Sequence, residues 1–184
     1  MSGTLKLSRR YSIIIAGGDD VALTASKIIG ELKKCDFDYI VTVPDDGTRR
    51  LYTRLQKTPD FKLIPACREG EAIAIAAGLM LGGKSPLVLI QNTGFYESGD
   101  SIRGLAIDLH LPMLLMISCR GWKSNAPMTD SAAIYIRPAI EAWGIHHHLI
   151  EDNQHVSRIS QALDEARKAR KPVAVLLGCE IDDK

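Results

Sequence analysis

Glu69 is the residue of this sequence best placed to do chemistry. It follows a short apolar run, Lys62-Leu-Ile-Pro-Ala66, and opens an Ala-rich apolar stretch that ends at Gly82-Gly83. A carboxylate there stands in the first turn of a helix, where the dipole favours negative charge. Three further polar clusters also follow apolar runs: Pro44-Asp45-Asp46-Gly47, Gln91-Asn92-Thr93-Gly94 and Ser118-Cys119-Arg120-Gly121. Asp45 and Asp46 suit a helix cap and first-turn charge. The turn Gly17-Gly18-Asp19-Asp20 reads as a turn plus cap, its acids argue against phosphate, and no GxGxxG occurs, so a dinucleotide phosphate loop has no support. No metal site is expected. The cysteines, Cys35, Cys67, Cys119 and Cys179, form no CxxC pair and read as small buried hydrophobes of a reducing compartment. His146-His147-His148 lie in a strand-like run, where neighbours point to opposite faces.

The elements that must hold these residues alternate along the chain. Strands are expected over Tyr39–Val43, Lys62–Ala66, Pro86–Ile90, Pro112–Ser118, His146–Ile150 and Pro172–Leu177. Several are apolar throughout, as strands buried on both faces are. Between them, helices are expected from a cap at Asp19 or Asp20 to about Lys34, from Asp46 through Leu55, over Glu69–Leu81, over Ser98–His110, over Ala132–Trp143 interrupted by Pro138, and over Asn153–Arg170. The pattern predicts a three-layer α/β/α fold with a parallel sheet of about six strands. Ligands of such a sheet bind at the carboxyl ends of its strands, where the four clusters fall. Arg120–Ser131, rich in Gly, Ser, Asn and Pro, is expected to be a functional loop.

Composition sets the bounds. The 184 residues are 46% apolar and 24% charged, with a net charge of +1. One soluble domain over 1–184 is expected, with 1–11 as a polar N-terminal extension. A large basic field for nucleic acid is not expected. Neither is a membrane span, since no apolar run reaches about 18 residues, and the start is too polar for a signal peptide. A cytoplasmic protein is the expectation.

Arg68-Glu-Gly-Glu-Ala-Ile-Ala-Ile-Ala-Ala-Gly78 resembles the pyrimidine-binding helix of thiamine diphosphate enzymes. Glu69, Ala72, Ala76 and Gly78 take the places of that helix's Glu, two Ala and Gly. The neighbouring segments agree in order: Val43-Pro44 before a helix, Leu89-Ile-Gln-Asn-Thr-Gly94 after a strand, and Leu111-Pro-Met-Leu-Leu-Met-Ile-Ser-Cys-Arg-Gly121. The last resembles a stretch of the sulfopyruvate and phosphonopyruvate decarboxylases. Two departures stand out. The loop Thr93-Gly-Phe-Tyr-Glu-Ser98 has Tyr96 in place of the family's second glycine, and Glu97 or Asp100 where an Asn is common.

The resemblance implies that Glu69 hydrogen-bonds N1′ of the cofactor's pyrimidine, and so helps its 4′-nitrogen take the thiazolium C2 proton. A small 2-oxo acid then loses CO₂ and leaves as an aldehyde. It implies a cofactor pocket of Glu69, Pro44, Gln91, Asn92, Thr93 and Gly94, with Gln91 and Asn92 either lining it or bonding within their loop. Asp45 or Asp46 is implied as a proton relay, beside their reading as cap and charge. Arg120, with Tyr96, is implied as a contact for an anionic substrate, beside the reading of Arg120 as an interface ion pair. The family's Gly-Asp-Gly motif for diphosphate and Mg²⁺ is missing, and Gly99-Asp100-Ser101 breaks it. The resemblance therefore implies an α subunit whose β partner carries the diphosphate half and Mg²⁺, in a hetero-oligomer with homodimer contacts. A carboligase half-enzyme and a non-catalytic module that kept the fold are the alternatives.

Overall fold

Alternation within each strand decides the layering. In the computed structural model, which describes residues 23–182, Leu87 and Leu89 point to one face of a sheet, while Val88 and Ile90 point to the other, and both pairs are fully buried. Each such side chain contributes about 1.5–3 kcal/mol when fully buried. A strand apolar on both faces therefore needs helices on both sides.

The chain runs β1 (Leu23–Thr24), α1 (Ala25–Leu32), β2 (Tyr39–Thr42), α2 (Arg49–Leu55), β3 (Lys62–Pro65), α3 (Glu69–Leu81), β4 (Pro86–Gln91), α4 (Asn92–Glu97) and α5 (Gly99–Ser101). A π-helical turn follows over Ile102–Ile107. Then come β5 (Leu114–Ser118), α6 (Ser131–Ala142), β6 (His146–Ile150), a 3-10 turn over Asn153–His155, α7 (Arg158–Ala169), β7 (Val173–Leu177) and β8 (Ile181–Asp182). Six strands pair in parallel in the order β3-β2-β4-β5-β7-β6. One core, with Ile28, Leu32, Leu51, Leu55, Ile159 and Leu163, packs α1, α2 and α7 on one face. The other, with Ile73, Ala76, Phe95, Ile102, Ile136 and Ile140, packs α3, α4, the π turn and α6 on the opposite face. This is the expected α/β/α sandwich. After β2 the chain steps outward to β3, then returns to the other side of β2 as β4. Between β2 and β4 the direction of winding reverses, and that crevice is where such sheets bind ligands.

Several local expectations are corrected. The Asp19–Asp20 cap, the Gly17-Gly18 turn and the 1–11 extension lie outside the described residues. Within them, α1 starts at Ala25 after Thr24, whose N–H and hydroxyl both reach Asn153 Oδ1. The segment read as a polar loop, Asn92–Glu97, is helical. The single helix expected over Ser98–His110 is instead one short turn and a π turn. Pro138 does not interrupt α6, because buried Ile136 and Ile140 hold the helix to the sheet on either side of it. The expected helix from Asn153 breaks into a 3-10 turn, with Asp152 accepting from Gln154 N–H and His155 N–H, before α7 begins. The pair β1–β8 was not foreseen. Among the described residues no helix is long and apolar enough to cross a membrane.

Candidate active site

The N-terminus of α3 gathers three carboxylates, and two of them have backbone duties. Glu71 accepts the Cys67 N–H at 2.9 Å, a helix cap. Glu97, arriving from α4, accepts the Gly70 N–H at 2.9 Å and pairs with Arg68 at 3.0 Å. Arg68 and Glu71 are thus committed rather than free surface charges. Glu69 is half-buried, and among the described residues its carboxylate has no hydrogen-bond or ion-pair partner.

What holds Glu69 in place is an absence of side chain opposite it. Gly94 packs its bare Cα on the carboxylate. A Cβ added there would lie 2.2 Å from Glu69 Cγ and 2.4 Å from Oε1. Gly94 is positioned in turn by the β4–α4 corner. Asn92 is fully buried, donates to the Arg120 carbonyl at 2.9 Å and accepts the Thr93 N–H at 3.0 Å. Thr93 Oγ1 donates to Gln91 Oε1 at 2.8 Å. Gln91 and Asn92 therefore bond within and around their corner, and Gln91 also lines a cavity.

That cavity, of about 820 Å³, opens at the carboxyl ends of β2, β4, β5 and β7. Asp45 organises it. Its Oδ1 accepts from Gly47 N–H (2.7 Å), Thr48 N–H (3.1 Å), Gln91 Nε2 (3.3 Å) and Ser118 Oγ (3.3 Å), and its Oδ2 accepts from Thr48 Oγ1 (2.7 Å). One side chain so ties the ends of β2, β4 and β5 together across the winding reversal. Asp45, not the expected Asp46, serves the start of α2. Asp46 is 97% exposed at the rim, 3.9 Å from Arg49. Pro44 is exposed beside it, in a shallow hollow with Arg49 and Tyr52. Four basic residues line the cavity, Arg49, Arg50, Arg120 and Lys123, against the acids Asp46 and Glu180. Its field therefore favours an anion.

Arg120 pairs with Asp130 at 3.1 Å, and Asp130 caps α6 through the Ala132 N–H. That helix dipole-like bond and Arg120 hold the Asp130 carboxyl below the usual range. The loop between them is stitched down: Trp122 Nε1 and Ser124 Oγ both donate to Glu151 Oε1. Tyr96 donates to the Ala132 carbonyl at 2.9 Å, and burial pushes its phenol upward, aided by Cys119 and Asp130. The structure thus joins Asp45, Gln91, Ser118 and Arg120 at the cavity, and links them through Thr93 and Gly94 to Glu69. Tyr96 stands apart, against α6. Ser118, Glu97, Arg49 and Arg50 were missed. Ser118 stood in a flagged cluster, but nothing in the sequence connects Glu97 with Gly70.

This arrangement, a free carboxylate at a helix N-terminus beside the crevice of a parallel sheet, agrees with a comparison at the level of families. Residues 24–135, more than half the chain, match the family described as thiamine pyrophosphate enzyme, N-terminal TPP binding domain. The chain belongs to this family. Thiamine pyrophosphate is the same cofactor as the thiamine diphosphate named above. The chain is similar to the sulfopyruvate decarboxylase subunit alpha of Methanocaldococcus jannaschii, 37% identical over 94 residues, which are 51% of this chain and 56% of that one. It is similar to the subunit alpha of Methanothermobacter thermautotrophicus, 28% identical over 98 residues, covering 53% and 59%. With the sulfopyruvate decarboxylase of Methanosarcina acetivorans it shares 23% identity over 157 residues, 84% of this chain and 40% of that protein. The chain thus spans about half the length of the curated relatives it matches.

Proposed function

We propose that this chain is the pyrimidine-binding subunit of a thiamine diphosphate-dependent 2-oxo acid decarboxylase of the sulfopyruvate or phosphonopyruvate type. The observation that carries the reading is the Glu69 carboxylate, the only one of three at the α3 N-terminus without a partner among the described residues, seated on the bare Cα of Gly94. A ring nitrogen needs such a group: aimed, uncommitted, and fixed by packing. The residues therefore fit the pyrimidine half of the cofactor.

When bound, the cofactor supplies a carbon nucleophile and the electron sink for loss of CO₂. The chain supplies positioning and proton handling. Glu69 would hold the pyrimidine through its N1′ and could share a proton with it. Gly94 leaves room for the Glu69 carboxylate; Pro44, Gln91 and Thr93 would border the pyrimidine, and buried Asn92 would hold their corner in place. Asp45 fixes the loop after β2, and Asp46, exposed at the rim, is the member of the pair free to pass protons to water. Arg120, with Arg49, Arg50 and Lys123, draws in a substrate with a second anionic group. Tyr96 is spoken for by Ala132 and stands apart from the cavity, so the substrate contact implied for it is left to Arg120.

A partner subunit supplies the diphosphate half and Mg²⁺, in a hetero-oligomer. Support comes from relatives named subunit alpha, and from the exposed Tyr96 on α4, Ile134 and Tyr135 on α6, and Trp143 just past its end. The experiment is co-expression with a diphosphate-binding partner, then a screen of 2-oxo acids for CO₂ release with and without an added aldehyde. Cofactor-dependent CO₂ release yielding a free aldehyde is expected. A carbon–carbon ligated product would make the enzyme a carboligase, and no turnover with any partner would leave a non-catalytic module.

A further inference from the structure

Far from the cavity, β6 and α7 bring two imidazoles and a carboxylate together. His146 and His148 are alternate residues of β6, so they share one face of the edge strand. Glu165, from α7, lies over both. His146 Nδ1 is 2.6 Å from its Oε1, and His148 Nε2 is 2.8 Å from its Oε2. The two rings stand 5.1 Å apart, edge to face. One donor atom from each residue lies within 4.8 Å of the others. His147 points to the opposite face, which is why three consecutive histidines looked unfit for a metal. The alternate pair is what converges.

We propose that His146, His148 and Glu165 bind one divalent transition-metal ion, Zn²⁺ foremost, which clips the edge strand β6 to α7. Two imidazoles and a carboxylate suit zinc or its neighbours in the first transition row, and not Mg²⁺ or Ca²⁺, which prefer all-oxygen shells. Tetrahedral zinc with ligands near 2.0–2.1 Å sets its donors about 3.3 Å apart. The 2.6 and 2.8 Å contacts would open by about 0.5–0.7 Å, and the widest donor separation, at most 4.8 Å, would close by up to about 1.5 Å, within side-chain rotation. Water completes the shell, since His146 is 64% exposed and Glu165 borders an open hollow of about 550 Å³ along α7. His146 pairs in register with Val173, the first residue of β7, so the cluster sits at the amino ends of the strands. The cavity is at their carboxyl ends. The site is therefore independent of the proposed decarboxylase role.

The test is Zn²⁺ titration calorimetry and Co²⁺ absorbance on the untagged chain carrying Cys67→Ser, which removes the exposed thiol. One ion per chain is expected. His146→Ala, His148→Ala and Glu165→Gln should each weaken binding about tenfold or more, while His147→Ala should leave it unchanged. Zinc should raise the melting temperature of the parent and not of His146→Ala. His146 is exposed enough that this variant keeps the fold, so it decides the matter if His148→Ala does not fold. Absence of saturable one-to-one uptake, or uptake undiminished in His146→Ala, overturns the proposal.

Discussion

Gly94→Ala puts the strongest demand on the proposed cofactor geometry. The new methyl would lie 2.2 Å from Glu69 Cγ, 2.4 Å from Oε1 and 2.5 Å from Cδ. Carbon atoms rest about 3.5 Å apart, so the Glu69 side chain must retreat by about 1.3 Å. Cγ is near the root of that side chain, so the whole carboxylate moves with it. A displacement of about 1 Å of a positioning group costs on the order of 100-fold in rate. Meanwhile α4 gains about 0.5–1 kcal/mol from losing a helical glycine, which offsets part of the clash. The expected result is turnover about 100-fold down with the melting temperature little changed. Gly78→Ala is the control, since a Cβ there meets nothing within 4 Å. Assayed as CO₂ release by the reconstituted enzyme at saturating cofactor, full activity in Gly94→Ala would refute the placement of Glu69.

Other expectations follow from the same contacts. Glu69→Gln should lower turnover by a factor of about 100 or more with an unchanged melting curve. Glu71→Ala should do the reverse, losing the Cys67 N–H cap and about 1 kcal/mol of stability in urea unfolding. Asp45→Ala strands the buried Thr48 and should cost about 1–3 kcal/mol, whereas Asp46→Ala should stay within about 0.5 kcal/mol. Burial pushes the thiols of Cys35 and Cys179 up to about 11 and that of Cys119 to about 12, so alkylation near about pH 8 should modify exposed Cys67 first. The stability from burying Cys35 and Cys119 as thiols is complete below pH 9.0, their ordinary value. It is lost as pH rises through about 11 and about 12, readable as a falling melting temperature.

The inner strands β4, β5 and β7 were legible in the sequence because burial on both faces writes itself as nearly uninterrupted apolar residues, whereas the edge strands β3 and β6, half-buried or exposed, showed only through shorter apolar runs. Helix α3 was legible for a local reason too: Ala-rich content, a strand before it and Gly82-Gly83 behind. Its candidate carboxylate, Glu69, came from a motif, and the helix begins there. Helix α4 was hidden because Asn92, Thr93 and Gly94 have poor local helix propensity. It forms where Phe95 packs into the core and Asn92 bonds to the Arg120 carbonyl. The choice between Asp45 and Asp46 was equally beyond local reading. Adjacent acids look alike until Gln91 and Ser118, from two other strands, pick one of them. Glu97 stands out in the sequence only as a departure in a loop, because its partner Gly70 is 27 residues away.

The short pair β1–β8 joins Leu23 to Ile181 and Thr24 to Asp182, side by side and in parallel. Among the described residues, this strand pairing spans the longest stretch of sequence and so carries the largest loop-closure entropy, and only two residues on each side repay it. It therefore zips last, after the six-stranded sheet already holds both flanks in place, and it opens first. Arg50 Nη1 donates to the Ile181 carbonyl in the wall of the basic cavity, so that late step also completes the pocket. A chain caught just short of full folding would have a finished sheet and an unfinished mouth.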